Sequence, residues 1–441
     1  MPAGFKSALR LLSPGLGVKR WLALMLVGLL MSGLAVSLLL SIYFAKNLWL
    51  LTKIPVFAWQ PALLLGLLGL GLFIFGSYQL NKIFLGAFIP EQATVAYVAK
   101  QVYYRQRRRK QGPKVVVIGG GTGLSVLLRG LKRHTDNITA IVTVADDGGS
   151  SGKLRRELGV LPPGDFRNCI AALADDEALT TQLFQYRFRS GQGLEGHSFG
   201  NLFITAMAEI TGSFEKALYE SGRVLTIRGD ILPSTLEDVT LLAELDEGDS
   251  TRKVKGESAI PASALPIERV YLQPDEPRAF PPAIQAILNA DLIIAGPGSL
   301  YTSVMPNLLV SEITGAIRAS AAPKIYICNV ATQPGETDHY TLDDHLQAIE
   351  THTQTVDIPA VNTEAPELNR NGFSCLFPYV LANNNLDHTI PVAMNLSPIR
   401  PAPAKDNRYT VVAADVVDEQ RPWRHDATKL ADELMAWYKN L

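Results

Sequence analysis

The stretch Lys114–Lys132, KVVVIGGGTGLSVLLRGLK, decides the fold. Lys114–Ile118 is a short run of β-branched residues, the texture of a strand buried on both faces. A cluster of small residues follows, Gly119-Gly120-Gly121-Thr122-Gly123, and then Leu124–Lys132 carries apolar residues at helical spacing. Strand, glycine turn and helix open a βα unit of a parallel sheet. Small residues let backbone N–H groups approach an anion, and a helix N-terminus adds partial positive charge. The dinucleotide fingerprint G-x-G-x-x-G is not met, because its last glycine is absent whichever glycine starts the count. The loop is therefore read as a phosphate cradle, with a plain strand-to-helix turn as the alternative.

Downstream the same texture recurs. Ile138–Val144 (ITAIVTV), Asp291–Ala295 (DLIIA), Lys324–Asn329 (KIYICN) and Tyr409–Val412 read as strands. Phe166–Ala174, Leu179–Tyr186, Gly200–Glu209, Phe214–Ser221, Pro282–Ala290, Leu308–Arg318, Leu342–Glu350 and Arg424–Lys439 read as helices. Arg223–Ile227, Val239–Leu245 and Arg269–Leu272 form an antiparallel excursion. Continuous apolar strands alternating with helices predict an α/β class with a Rossmann-like, doubly wound, mostly parallel sheet. Glu364–Asp406, with its Pro-rich PIRPAP stretch, yields no clear pattern.

Upstream lies a different region. Trp21–Ala45 and Ile54–Asn81 contain no charged residue. Each is longer than the ~20 residues a helix needs to cross the hydrocarbon core. A signal peptide would account for one run only, and its apolar part would be shorter. The pair predicts a transmembrane hairpin in contact with lipid. Lys6, Arg10, Lys19 and Arg20 precede it, and Lys82, Lys100 and Arg105–Lys110 follow it. That excess on the outer flanks predicts a multi-pass protein of the cell membrane with both termini and the main domain cytoplasmic. The expected organisation is a hairpin over 1–90 (helices about 21–45 and 54–81), a basic linker over 91–113 and a ligand-binding domain over 114–441.

The 441 residues are 47% apolar with mean hydropathy +0.12, which excludes a disordered chain. The positive hydropathy comes largely from the two charge-free runs. The net charge of −1 gives no global field for nucleic acid, and none is expected as a partner. Cys169, Cys328 and Cys375 are too sparse for a disulfide scaffold and match no metal-ligand spacing.

Other chemistry-bearing segments sit at predicted strand ends, where open α/β sheets bind ligands. Asp146-Asp147-Gly148-Gly149-Ser150-Ser151-Gly152-Lys153 places paired carboxylates there, suited to a ribose, a magnesium ion or a nucleophile, or to a turn with Asp146 as helix cap. It is not a Walker loop, because the glycine spacing fails and Leu154 replaces Ser or Thr. Gly296-Pro297-Gly298-Ser299 follows DLIIA as a second small-residue cradle or a helix-start turn. Asn329 ends its strand as a ligand contact or a cap. Leu161–Asn168 (LPPGDFRN) packs acid, base and amide into a turn, and Gly196–Asn201 (GHSFGN) puts His197, Ser198 and Asn201 before a helix. His197 is a candidate base or a structural hydrogen bonder. Ser198 lacks the nucleophile-elbow context, which argues against a hydrolase triad.

Six segments, in this order, resemble the YvcK family of gluconeogenesis factors: VVVIGGGTGLSVLLRGLK, ITAIVTVADDGGSSGKLR, LPPGDFRN, GHSFGNLF, IIAGPGSLYTSVMPNLLV and YICNVATQPGETDHYT. These factors are relatives of CofD, the transferase that moves a phospholactyl group from a nucleoside diphosphate onto a deazaflavin. The resemblance covers nearly all of Lys114–Asn362 and, more loosely, Tyr409 to the end. It implies a Rossmann-like fold that binds a UDP-sugar, UDP-N-acetylglucosamine in the best-understood members. It also implies a regulatory rather than enzymatic role in cell shape, peptidoglycan precursor supply and growth on gluconeogenic carbon. By similarity Gly120, Gly121, Thr122, Gly123, Asp146 and Asp147 line the nucleotide site, with Asn168, Asn201 and Ser299 nearby and Arg424 carried over from a C-terminal motif. His197, Gly298 and Asn329 complete the candidate set. An aromatic contact belongs in 364–406 and is not placed. No cofactor is required on this reading. Cell-wall synthesis proteins and a second copy of the chain are candidate partners. The alternative is a CofD-like transferase using magnesium and a nucleoside diphosphate-linked donor. The hairpin departs from the compact, soluble members.

Overall fold

The computed structural model describes residues 18–47, 59–88, 112–175, 177–353, 375–401 and 408–441. The chain forms two compact units, Met1–Arg107 and Arg108–Leu441. Most of the expected basic linker, 91–111, lies outside the described residues.

In the first unit, helices α1 (Val18–Asn47) and α2 (Trp59–Phe88) pack against each other. Both are long and apolar enough to cross a membrane, over Arg20–Phe44 and Trp59–Gln79. α1 runs past both ends of its charge-free stretch and α2 past the C-terminal end of its own, because a helix does not stop at the first charged residue; 54–58 lie outside the described residues. Small residues set the contact. A Cβ on Gly28 would stand 2.6 Å from the Gly69 carbonyl oxygen, and one on Gly69 would stand 2.8 Å from that of Gly28. Ala35 and Ala62 are buried in the same seam. The outer faces carry exposed leucines, Leu30 at 73% and Leu64 at 66%. Such a surface suits lipid better than water.

The second unit is built on seven parallel strands: β1 Val115–Gly119, β2 Ile138–Val142, β3 Asp230–Pro233, β7 Leu292–Ala295, β8 Lys324–Ile327, β9 Tyr379–Asn383 and β10 Thr410–Ala414. They form one sheet of order β10-β9-β8-β7-β1-β2-β3. Every residue of β1 and β7 is buried, as continuous apolar runs require. The chain winds from β1 through β2 to β3 on one side and from β7 through β10 on the other. The order reverses between β1 and β7, and the crevice of an open α/β sheet opens at such a point. Between β3 and β7 in the chain stands a separate antiparallel sheet. Its strands are β4 (Thr240–Asp246), β5 (Thr251–Lys255) and β6 (Ile267–Gln273), in order β5-β4-β6. Helix α3 (Gly121–Leu131) follows β1, and its Gly130 lies directly against Ala427 of the C-terminal helix.

Some expectations need correction. Arg223–Ile227 is not a strand, since helix Phe214–Val224 runs into it. The strand is Asp230–Pro233, a short edge whose proline is tolerated because no neighbour needs its N–H. The predicted helix over Leu308–Arg318 is interrupted, with a π-helical turn at Leu300–Val304, a short α-helix at Met305–Leu308 and a new helix from Ser311. Arg424 and His425 belong to a strand, Arg421–His425, and the last helix begins at Ala427. Asp426 caps that helix by accepting from Thr428 N and Lys429 N. β9 lies within the stretch that had no readable pattern.

Candidate functional site

The glycine loops after β1 and β7 meet at the switch point. A Cβ on Gly123 would stand 2.6 Å from the Pro297 carbonyl oxygen. One on Gly298 would stand 3.2 Å from Ser303 Cβ and 3.4 Å from the Gly120 oxygen. Asn307 ties the loops together by donating from Nδ2 to the carbonyls of Gly119 (3.1 Å) and Ser303 (2.9 Å). Gly120 is the N-cap of α3 and carries no side chain to cap it. The first turn of α3 thus turns its partial positive charge toward the crevice, with the Gly121 N–H already donated to the Asp165 carboxyl. Gly121 adopts φ +64°, a conformation that costs a side-chain-bearing residue energy.

The loop after β2 supplies the next wall. Helix α4 (Gly149–Leu158) starts within it, with Gly148 as its N-cap. Asp146 does not cap α4 through a helical N–H; its Oδ1 accepts from Gly148 N at 2.9 Å and shapes the turn. Helix α5 (Gly164–Leu173) brings Asp165, Arg167 and Asn168, and helix α6 (Phe199–Thr211) brings Asn201. Asp146, Gly148–Ser151, Gly164, Asp165, Arg167, Asn168 and Asn201 line one cleft of about 250 Å³ with Arg187.

A polar network runs through this cleft. Asn201 Nδ2 donates to Ser150 Oγ (3.1 Å) and Ser151 Oγ (3.4 Å), and Ser150 Oγ pairs with His197 Nδ1 at 3.0 Å. Arg167 donates to Ser198 Oγ (2.7 Å) and Asn168 Oδ1 (3.0 Å). Asn201 Oδ1 and Arg167 Nε are buried without a partner among the described residues, so both retain hydrogen-bonding capacity. His197 thus stands as a buried hydrogen-bonding partner of the wall.

The electrostatics are unusual for a site at neutral pH. Burial, together with the neighbouring Asp146, pushes the Asp165 carboxyl up to about 7, although it accepts the Gly121 N–H. Burial raises Asp146 as well. Glu257, in the turn after β5, is pushed up to about 8 by burial and by the field of Asp146, Asp165, Asp147 and Glu336. Burial lowers the Arg167 guanidinium, and Arg187 adds to the effect. Among the described residues no three His, Cys, Asp or Glu side chains are grouped to hold a metal ion.

On the β7–β8 side, Gln333 donates to Ser299 Oγ (2.9 Å), and Asn329 donates to Gln333 Oε1 (2.9 Å). Thr302 Oγ1 donates to Glu336 Oε1 at 2.9 Å, while Glu336 Oε2 is buried with no partner among the described residues. Ser299 and Asn329 therefore belong to one network, with Asn329 acting through Gln333. Thr122 stands exposed in the first turn of α3.

Arg424 is not drawn into the cleft. It is exposed on its strand and makes no ion pair among the described residues, while its neighbour His425 is buried against the Cys328 carbonyl at the end of β8. Asp147 is engaged elsewhere, since its Oδ1 accepts from Ser258 N at 2.9 Å. Asp165, Arg167, Gln333, Glu336 and Glu257 are absent from the predicted set. The first four lie in motifs already singled out, LPPGDFRN and TQPGET, whereas Glu257 carries no sequence signal. The stretch 364–406, to which the aromatic contact is assigned, lies outside the described residues at 364–374 and 402–406.

This geometry defines a class: an open α/β protein with two glycine loops meeting in the crevice at its switch point. The CofD family, described as 2-phospho-L-lactate transferase CofD, matches residues 115–434. A Nostoc sp. protein bearing the gluconeogenesis-factor name is 46% identical over 446 residues, covering 97% of this chain and 92% of its own. The Bacillus subtilis gluconeogenesis factor is 54% identical over 256 residues, 58% of this chain and 80% of its own. A crystal structure of a Bacillus halodurans member of the UPF0052 family superposes with a TM-score of 0.63 at 42% identity, covering 74% of this chain and 99% of that one. The chain belongs to the CofD family, within its gluconeogenesis-factor (YvcK, UPF0052) group. The Nostoc alignment is long enough to include most of the hairpin unit.

Proposed function

We propose that this protein is a regulatory binder of a UDP-sugar, UDP-N-acetylglucosamine, held at the cytoplasmic face of the cell membrane by its hairpin. In that position it would couple nucleotide-sugar level to cell shape and peptidoglycan precursor supply, with cell-wall synthesis proteins as partners. The observation that carries the reading is the meeting of the two glycine loops. Backbone is pared to glycine on both sides of the switch point, beside a helix start whose N-cap residue has no side chain. A diphosphate fits such a place, and the acceptor-rich wall of Asp146, Asp165 and Asn201 suits hydroxyl donors of a ribose or sugar. The test is calorimetric titration of the full chain in detergent micelles with UDP-N-acetylglucosamine. Micromolar or tighter binding, weakened by Asn201→Ala, is expected; no heat with any UDP-sugar would sink the reading.

A transferase reading draws on one observation, the Asp165 carboxyl near 7, a value suited to moving protons at neutral pH. Magnesium would then have to arrive with the nucleotide, which commonly supplies part of its ligand set. Release of UMP or GMP from candidate donors by the purified protein would establish it, and persistent absence of turnover would remove it.

A further inference from the structure

The β4–β6 sheet begins and ends beside β3, where Phe280 N donates to the Ser234 carbonyl at 2.9 Å. Its base is held on both sides: Arg155 of α4 donates to the Val239 carbonyl at 2.5 Å, and Val270 N donates to His352 Nε2 at 3.0 Å. The turn Gly256-Glu257-Ser258 leaves β5 at this same end, where Gly256 N donates to the Leu241 carbonyl at 2.8 Å, and runs into the short helix Ala259–Ala262. Two loops grip this segment. Asp147, after β2, accepts from Ser258 N at 2.9 Å, and its carboxylate presses on the α-carbon face of Gly256, which sits at φ +109°. Gly335, in the loop after β8, packs on the Pro261 carbonyl so closely that a Cβ there would collide. In the sheet order, β1 and β7 lie between β2 and β8. A segment gripped by the β2 and β8 loops therefore lies over the switch point between them.

We propose that this clasped turn holds Glu257 toward the phosphates of the bound nucleotide as a hydrogen-bond donor, and that Asp147 is the positioning residue that fixes the turn rather than a ligand contact. The role of Glu257 rests on the nucleotide reading above; the clasp itself does not. The groups facing Glu257 are Asp146 and Asp147 from the β2 loop, Asp165 from α5 and Glu336 from the β8 loop. Surrounded by carboxyls, Glu257 gains from staying protonated, and a protonated acid can donate to a phosphate oxygen where a carboxylate would repel it. Asp147 then explains why paired aspartates follow β2: Asp146 shapes its own loop and Asp147 holds the Gly256–Ser258 turn.

Conservative replacements separate this from a purely structural role. Asn at 147 still offers an oxygen to Ser258 N–H, and Gln at 257 is a neutral donor. The measurements are calorimetry of the full chain with UDP-N-acetylglucosamine and amide hydrogen exchange of 251–262 without ligand. Asp147→Ala and Glu257→Ala should each weaken binding about tenfold, the worth of roughly one good hydrogen bond. Asp147→Asn and Glu257→Gln should recover most of it. Asp147→Ala, and Gly256→Ala as a second variant that wedges the clasp, should speed exchange across 251–262, whereas Glu257→Ala should not. Equal losses for Asn and Ala at 147 would make it a direct charge contact and overturn its positioning role. Equal losses for Gln and Ala at 257 would overturn the donor role. If the wild-type chain binds no UDP-sugar, the function reading and the Glu257 role fall together. Unchanged exchange in Asp147→Ala and Gly256→Ala would remove the clasp by itself.

Discussion

Glycine performs two different tasks in the two units of this chain. In the hairpin, Gly28 and Gly69 each let one helix backbone reach the other. In the α/β unit, Gly120, Gly123 and Gly298 let two loops approach while the N–H groups of a helix start face the crevice. The absence of Cβ is the same; the surroundings decide its use. Between apolar helices, close approach gains dispersion where lipid offers no hydrophobic drive. At a sheet switch point, it leaves space beside backbone N–H groups, the feature on which the proposed nucleotide reading rests. Substitutions should therefore divide the two units cleanly.

The largest effect is expected from Gly123→Ala. Its new methyl would stand 2.6 Å from the Pro297 oxygen, a backbone atom that cannot swing aside. Overpacking of this kind costs about 1–3 kcal/mol, and parting the loops should abolish UDP-sugar binding. Thermal melting and calorimetry together check both effects. Next comes Gly28→Leu, whose side chain would run into the backbone of Gly69 and Phe73. It should separate the hairpin helices, read as lost excimer emission from a pair of pyrene labels, one on each helix. UDP-sugar affinity should stay unchanged. Gly33→Ala, whose Cβ meets nothing within 4 Å, should be silent in both assays. Loss of ligand binding in Gly28→Leu would break the separation between the units.

A smaller effect concerns charge. Unfolded, Asp165 titrates near the ordinary carboxylate value of about 3.9. Folded, it titrates at about 7. Between these values the folded state holds a proton that the unfolded state lacks, so stability falls as pH rises through the window and levels off above it. Asp165→Asn should remove that loss. Its melting temperature relative to wild type should climb by several degrees from about pH 4 to about pH 7 and then stay flat. An offset independent of pH would show that burial does not set this group.

Much of this was legible from texture. KVVVI and DLIIA read as buried strands because both faces are covered, and both glycine loops follow from them. Strands with weaker patterns were lost. β3 is a short edge ending in Pro233, β5 is largely exposed, and β9 lies in a stretch without clear periodicity. The site was half legible. Residues beside the glycine loops announce themselves by position, and Asp146, Asn168, Asn201 and Ser299 come to the crevice. Glu257 arrives from an antiparallel excursion over 100 residues downstream of Asp146, and only the tertiary clasp with Asp147 brings it in. Arg424 was assigned to a helix because its capping residue, Asp426, lies two positions further on.

The central claim is that the paired glycine loops form a nucleotide-sugar site. Its most direct test is titration of UDP-N-acetylglucosamine into the full chain, wild type beside Gly123→Ala. The account expects saturable, micromolar or tighter binding to wild type and none to the variant. Equal heats from both proteins, or no heat from wild type, would contradict it.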